Sequence, residues 1–416
     1  MRIAVVGAGV SGLLAAWILS RRHEVELFEA DARLGGHVHT HALDDRGARR
    51  DVDTGFIVFN ERTYPNFTRL LAHLGVAAQP TSMSFSVRSE RTGLEYNGTS
   101  LNTLFAQRSN LFRPSFHRMI RDILRFNRRA KELASAGTEE CTLATLLDAG
   151  GYGREFVDHY LVPMGSAVWS TEPARMREFP ALFFARFFEN HGFLEVDRRP
   201  QWYTVAGGSA RYVEKLLAGF RGRVRLATPV VRVVRAAEHV LVQPKGGEPE
   251  RFDHVVLAAH ADQTLAMLAD ASDVERELLS AFPYTSNRAV LHTDATVLPK
   301  RPLARASWNY HLPREPEAGA TVTYWMNLLQ ALDTETTYCV TLNRDDAIRP
   351  ERVVERMEYA HPLFQVGSVA AQARASEIQG VRRTWFAGAY WRNGFHEDGV
   401  VSALAVARGF GLELLP

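Results

Sequence analysis

Only two cysteines, Cys141 and Cys339, occur in 416 residues. That is too few for a disulfide framework or a cysteine-based metal site, and it suits a reducing cytoplasm. Net charge is nearly absent as well, since 49 Lys and Arg against 47 Asp and Glu leave +2. No global field draws such a chain to nucleic acid or to a membrane. There is no internal repeat or low-complexity tract. The composition, 46% hydrophobic and 23% charged, is that of a folded protein and not of a disordered or collagenous one. At roughly 150 residues per domain, two or three domains are expected. Ile3 to Ser20 is uncharged between Arg2 and Arg21-Arg22, a pattern shared with leaders and anchors. Gly7, Gly9 and Gly12 interrupt it at a spacing with a different explanation. No other run approaches the roughly 20 apolar residues of a membrane span.

That explanation is a phosphate-binding turn. Ile3 to Val6 reads as a buried strand and Gly12 to Ser20 as a helix, with Gly7-Ala8-Gly9-Val10-Ser11-Gly12 between them. In this context the first glycine permits the turn, and the second lets a pyrophosphate approach bare backbone. The third allows close helix–strand packing. Unpaired amides at the helix start favour an anion. Glu29, 22 residues after Gly7 at the end of a second strand (Glu24 to Phe28), is placed to accept bonds from ribose hydroxyls. Helical periodicity recurs at Arg69 to Leu74, Phe116 to Leu133, Thr142 to Ala149 and Ala181 to Asn190. Short β segments fill Val224 to Leu257, a mixed region follows, and a strand at Trp385 to Ala389 precedes a last helix at Gly399 to Arg408.

The stretch Glu29-Ala30-Asp31-Ala32-Arg33-Leu34-Gly35-Gly36-His37 resembles the flavin-containing amine oxidase and phytoene desaturase superfamily. The resemblance implies FAD, with Arg33, Gly35 and Gly36 near its pyrophosphate and flavin; the lack of cysteine from Trp385 to Pro416 points to non-covalent binding, with attachment through a histidine as the alternative. His37 stands where that family usually has arginine, which puts one phosphate contact in doubt. Val205-Ala206-Gly207-Gly208 and the β segments after it resemble the second part of the family's FAD domain, implying an adenine contact through the backbone of Val230 or Val231. Phe386-Ala387-Gly388-Ala389 and Gly394 to Val400 resemble the segment that closes over the flavin. There a helix start at Gly399-Val400, with Asp398 at its cap, would stabilise negative charge on the reduced cofactor. A narrower likeness, carried by Asp53-Thr54-Gly55-Phe56 and by Gly388-Ala389-Tyr390-Trp391, is to bacterial amine-oxidase-like proteins associated with fatty-acid modification.

Together these features imply an α/β protein whose Rossmann-like FAD-binding domain, of the glutathione-reductase and amine-oxidase type, is built from residues 1–80, 200–272 and 370–416. An interleaved α+β substrate domain would occupy 81–199 and 273–369. No second glycine fingerprint provides a nicotinamide site. His37, His39 and His41 alternate as ligands on one strand face could, but no carboxylate or cysteine cluster joins them, so no metal is expected.

The amine-oxidase chemistry fits less well. Phe395 falls where the resemblance places a cage tyrosine, and Asn287 to His292, the region resembling the lysine segment, has no lysine. The residues favour hydride removal from a hydrophobic or lipid substrate such as a fatty acyl chain. Amine oxidation, double-bond isomerisation and a flavin-free partner-binding role, as in Rab GDP-dissociation inhibitors, remain alternatives. Proton-handling candidates are His396 and Glu397, with Tyr310 and His311 from the substrate domain. An aromatic wall is expected from Phe395, Tyr390, Trp391, Trp308 and Tyr324. Phe184 and Phe188, in a phenylalanine-rich helix, read equally as tunnel lining or core. Arginines between Arg113 and Lys131 interleave with apolar residues, a pattern suited either to peripheral contact with anionic lipid or to a solvated helix face.

Overall fold

The computed structural model describes residues 1–136, 141–195, 199–315 and 319–414. Its organising element is a five-stranded parallel sheet in the order Thr384–Phe386, His254–Leu257, Arg2–Val6, Glu24–Phe28 and Arg223–Arg225. Three separated stretches of chain thus meet in one sheet. The strands are almost continuously apolar, as both faces are covered; Ile3, Ala4, Val5, Val255, Val256 and Leu257 are buried. Helix Val10–Leu19 follows the first strand and packs against helix His396–Gly409. An antiparallel meander, Val230–Arg235, Val240–Pro244 and Glu250–Phe252, adjoins the sheet.

The second part centres on a seven-stranded sheet in the order Val353–Pro362, Tyr284–His292, Cys339–Leu342, Val322–Trp325, Trp308–Leu312, Phe85–Ser89 and Glu95–Asn97. Helices from Pro114 to Asn190 cover it, and helix Pro114–Ala136 packs on helix Ala181–Asn190. The fold has the expected architecture, a Rossmann-like parallel-sheet domain interleaved with a mixed second domain. Among the described residues no helix is long and apolar enough to cross a membrane.

Local differences have local causes. The last helix starts at His396, three residues earlier than its apolar pattern suggests, because Asp398 accepts the Phe395 and Asn393 amides at 2.9 and 3.2 Å. Strand Val353–Pro362 escaped the sequence reading because its charged alternation, Glu355, Arg356 and Glu358, resembles a surface loop; it pairs with Tyr284–His292 along nearly its full length.

Candidate cofactor and substrate site

The turn after the first strand has the geometry a pyrophosphate requires. Gly7 adopts φ +100°, and a Cβ there would meet the Ala258 carbonyl at 2.8 Å. A Cβ on Gly12 would lie 1.8 Å from the Gly7 carbonyl oxygen, so only glycine lets helix and strand touch. Gly9 is the opposite case, with nothing within 4 Å of its added Cβ, an open face against bare backbone. Helix Val10–Leu19 has neither a side-chain cap nor an acid in its first turn, which leaves the Val10, Ser11 and Gly12 amides for an anion. Glu29 accepts the Ala8 amide at 2.7 Å and the Asp31 amide at 2.9 Å, holding the turn while keeping lone pairs for ribose hydroxyls.

The loop around Glu29 completes this face. Ala227 and Thr228 donate their amides to the Asp31 and Glu29 carbonyls, which brings the start of the meander alongside, with Ala30 exposed on the rim. Its ladder slips between Val230 and Arg232, leaving Val231 outside the register, at the position where the resemblance places the adenine. Arg33 donates to the Gly36 and Val38 carbonyls at 2.8 and 3.1 Å, which folds the Gly35-Gly36 turn against Gly9. Gly55 lies so near that loop that a Cβ would fall 2.0 Å from the His37 carbonyl oxygen. These features fit a dinucleotide in residue type and in space.

His37 is placed differently from the arginine that the resemblance leads one to expect. It is hydrogen-bonded to the Ala360 carbonyl, and its Nε2 is sealed from solvent without a partner. Its ring lies 5.3 Å from His361, 5.4 Å from Tyr359 and 6.1 Å from His260. The side chain is thus committed to strand Val353–Pro362, and the arginine's phosphate contact has no counterpart in it. Burial, reinforced by neighbouring imidazoles, holds His37 at about 4 and His361 at about 3, so both are neutral near pH 7. His39 and His41 join a hydrogen-bonded link with Tyr359 and Thr54. Among the described residues no group of His, Cys, Asp or Glu is arranged to hold a metal ion.

The closing segment also takes on roles other than those read from sequence. The Gly399 amide bonds the Phe395 carbonyl, and a Cβ on Gly399 would meet Val10 at 2.6 Å. Gly399 and the buried Val400 therefore seat one helix on the other, and the unpaired amides at the start belong to His396 and Glu397. Both Glu397 oxygens are occupied, accepting the Asn66 amide at 3.1 Å and the Phe67 amide at 2.9 Å at the start of helix Pro65–Leu74. That commitment argues against an acid–base role. His396 stacks on Phe56 at 3.7 Å, and its Nε2 lies 2.7 Å from the Tyr212 hydroxyl. Burial, with His37 nearby, pushes it down to about 3. The Gly388 amide donates to Ser402 Oγ at 2.9 Å, fixing the preceding loop.

A cavity of about 240 Å³ opens between the two parts, lined among others by Met83, Phe85, Met164, Phe193, Trp202 and Trp308. Of the expected aromatic wall only Trp308 lines it. Tyr324 supports Trp308 edge-on at 5.0 Å. Phe395 sits behind the wall, 5.9 Å from His191, which is itself a lining residue. Tyr390 and Trp391 pack against Phe282, away from the lining. Phe184 and Phe188 stack on each other at 3.9 Å inside the core, so for them core packing prevails over the tunnel. Tyr310 is buried in the same sheet. His311 faces the other side, beside Glu90 at 3.1 Å, since its neighbour Trp308 faces the cavity three positions earlier. Desolvation and two arginines, Arg344 and Arg88, hold His311 at about 3. Neither joins His396.

Two cavity residues were not picked out from sequence. His191 is buried, donates Nδ1–H to the Phe187 carbonyl at 2.9 Å and so keeps Nε2 as an unprotonated acceptor. Burial holds it neutral, at about 4. Arg199 is the one arginine or lysine among the described lining residues, and no Asp or Glu accompanies it there.

A parallel sheet carrying a glycine turn, an acid at the end of its second strand and a bulged meander fits the class of dinucleotide-binding proteins. The substrate sheet narrows the class, and the model of the flavin-containing amine oxidoreductases matches residues 10–409. The chain belongs to that family, and its cofactor is FAD. The mouse (Mus musculus) L-amino-acid oxidase is 26% identical over 282 residues, 64% of this chain; the chain spans 40% of that relative's length. Among solved structures, a fatty acid isomerase from P. acnes that produces CLA superposes with TM-score 0.71 at 16% identity, over 98% of both chains. A putrescine oxidase bound to putrescine gives TM-score 0.71 at 16% identity over 99% of both. At these identities the likeness is one of fold.

Proposed function

We propose that the protein is an FAD-dependent oxidoreductase that dehydrogenates an apolar carboxylic acid, foremost a fatty acyl chain. The observation that carries this reading is the cavity: apolar and aromatic walls, no acid in the described lining, and a single guanidinium in Arg199. Such a site complements a carboxylate on a hydrocarbon, whereas an amine cation would find no counter-charge among the described lining residues. When bound, FAD supplies the acceptor for a hydride equivalent at its N5.

The remaining chemistry falls to the chain. Arg199 holds the carboxylate, and the aromatic walls align the hydrocarbon and exclude water. His191, between Trp202 and Phe395, takes up the proton that leaves the adjacent carbon, so two hydrogens depart and a double bond forms. The amides at the start of helix His396–Gly409 favour negative charge on the reduced cofactor. Dioxygen or a quinone would serve as the final electron acceptor.

Substrates of matched length ending in carboxylate, amine or alcohol test the assignment. The acid is expected to be preferred, and R199Q to raise KM for it about tenfold or more while leaving the alcohol unchanged. Preference for the amine would reject the reading. Amino-acid oxidation is the second reading, since it too presents a carboxylate and is favoured by the mouse relative; release of an oxo acid and ammonia would establish it. The P. acnes neighbour motivates a redox-neutral isomerisation, recognised by product formation without consumption of an electron acceptor.

A further inference from the structure

We infer that the surface around helix Leu101–Leu104, the Arg108–Phe112 turn and the outer face of helix Pro114–Ala136 docks on an anionic phospholipid bilayer. Large apolar side chains are normally covered, yet Phe112 is 87% exposed, Leu101 77% and Leu111 45%. They belong to one structural unit. Phe105 packs on Phe116 and His117, Arg108 bonds the Asn102 and Phe105 carbonyls, and His117 bonds the Leu111 carbonyl at 2.9 Å.

Charge selects the partner. Arg108, Arg118, Arg121, Arg125 and Arg128 are exposed here, and between Gly98 and Lys131 the sequence contains a single acid, Asp122. That carboxylate is buried and already holds the Gly153 amide at 2.9 Å and Arg125 at 3.3 Å. Arg129 pairs with Glu132 at 3.6 Å, and Glu155 and Asp158 share a pocket with Arg113. Among the described residues, however, no acid pairs with Arg108, Arg118, Arg121 or Arg128, and exposed apolar tips beside these arginines match a headgroup layer above acyl chains. The helix does not itself lie in the bilayer as a free amphipathic helix would, for Phe116, Met119 and Phe126 are buried in the protein core. Insertion falls to Leu101, Leu111 and Phe112.

The surface also adjoins the substrate cavity. Gly98 lines that cavity, and Leu101 follows three residues later. Docking there would place the cavity near a source of acyl chains, although the surface argument stands whatever the enzyme oxidises.

Sedimentation of the FAD-loaded protein with phosphatidylcholine vesicles, with and without phosphatidylglycerol, tests this. Binding is expected to be at least about tenfold tighter with phosphatidylglycerol and to weaken as salt rises. A double variant, L101E and F112E, should lose about tenfold or more while retaining its melting temperature and flavin spectrum. R121E with R128E should weaken binding to the anionic vesicles alone. Absence of binding to either vesicle, equal binding to both, or undiminished binding of the double variants would overturn the inference.

Discussion

The Asp53 carboxylate receives both polar hydrogens of Ser209, its amide at 3.0 and 3.1 Å and its hydroxyl at 2.8 Å. Gln330 donates to the same carboxylate at 3.0 Å and accepts the Asp53 amide at 2.8 Å. One fully buried acid therefore joins the cofactor half at two places to the connection between strands Val322–Trp325 and Cys339–Leu342 of the substrate sheet. Removing it strands several buried donors, each costing about 1–3 kcal/mol. D53A is expected to lose at least about 3 kcal/mol of stability and to release FAD more readily, as read by denaturant titration following flavin fluorescence.

The second and third glycines of the fingerprint should behave oppositely. G12A forces a methyl into the Gly7 carbonyl and should prevent stable folding. G9A meets no protein atom and should leave the apoprotein's melting temperature unchanged while weakening FAD binding by about tenfold or more. Calorimetric titration of each variant with FAD separates the cases.

Acid should act through the interdomain histidines. His37, held at about 4 by burial and by His260, and His361, held at about 3 by burial, His37 and His260, remain neutral in the native state while an unfolded histidine protonates near 6.5. The stability each contributes is present above about pH 6.5 and is lost progressively as pH falls toward 4 and below. His260, also lowered by burial, adds to the loss; Asp53, raised to about 6, opposes it. Melting temperature should therefore fall steeply from pH 7 to 4, and H361N should fall less. A flat profile would rule out this group as the cause.

Glu397 and His191 offer a direct comparison. E397Q retains an oxygen for the helix start at Pro65–Leu74 but loses the charge there, and should cost about 1 kcal/mol while turnover stays within a few-fold. H191A should instead lower kcat by about a hundredfold with little change in KM. Steady-state kinetics alongside thermal melts distinguishes the two roles.

The cofactor cradle was legible because its information is local. Gly7, Gly9, Gly12 and Glu29 encode one turn and one strand end at a recognisable spacing, although Ala258 and the Ala227 and Thr228 amides come from distant chain to pack against them. The substrate side was not. Phe184 and Phe188 show a helical apolar face, but periodicity cannot say whether protein or a ligand covers it. Glu397 reads as an acid in a catalytic segment until helix Pro65–Leu74, 331 and 330 residues away through Asn66 and Phe67, takes both its oxygens. His191 and Arg199 lie beyond the phenylalanine helix in a stretch with no motif, and only tertiary packing turns them to the cavity.

Anaerobic mixing of the oxidised holoprotein with a long-chain fatty acid tests the central claim most directly. The flavin absorbance should bleach in a single turnover, and mass spectrometry should find the acid two hydrogens lighter with one new double bond. An unbleached flavin with fatty acids, together with rapid bleaching by amines, would contradict the account.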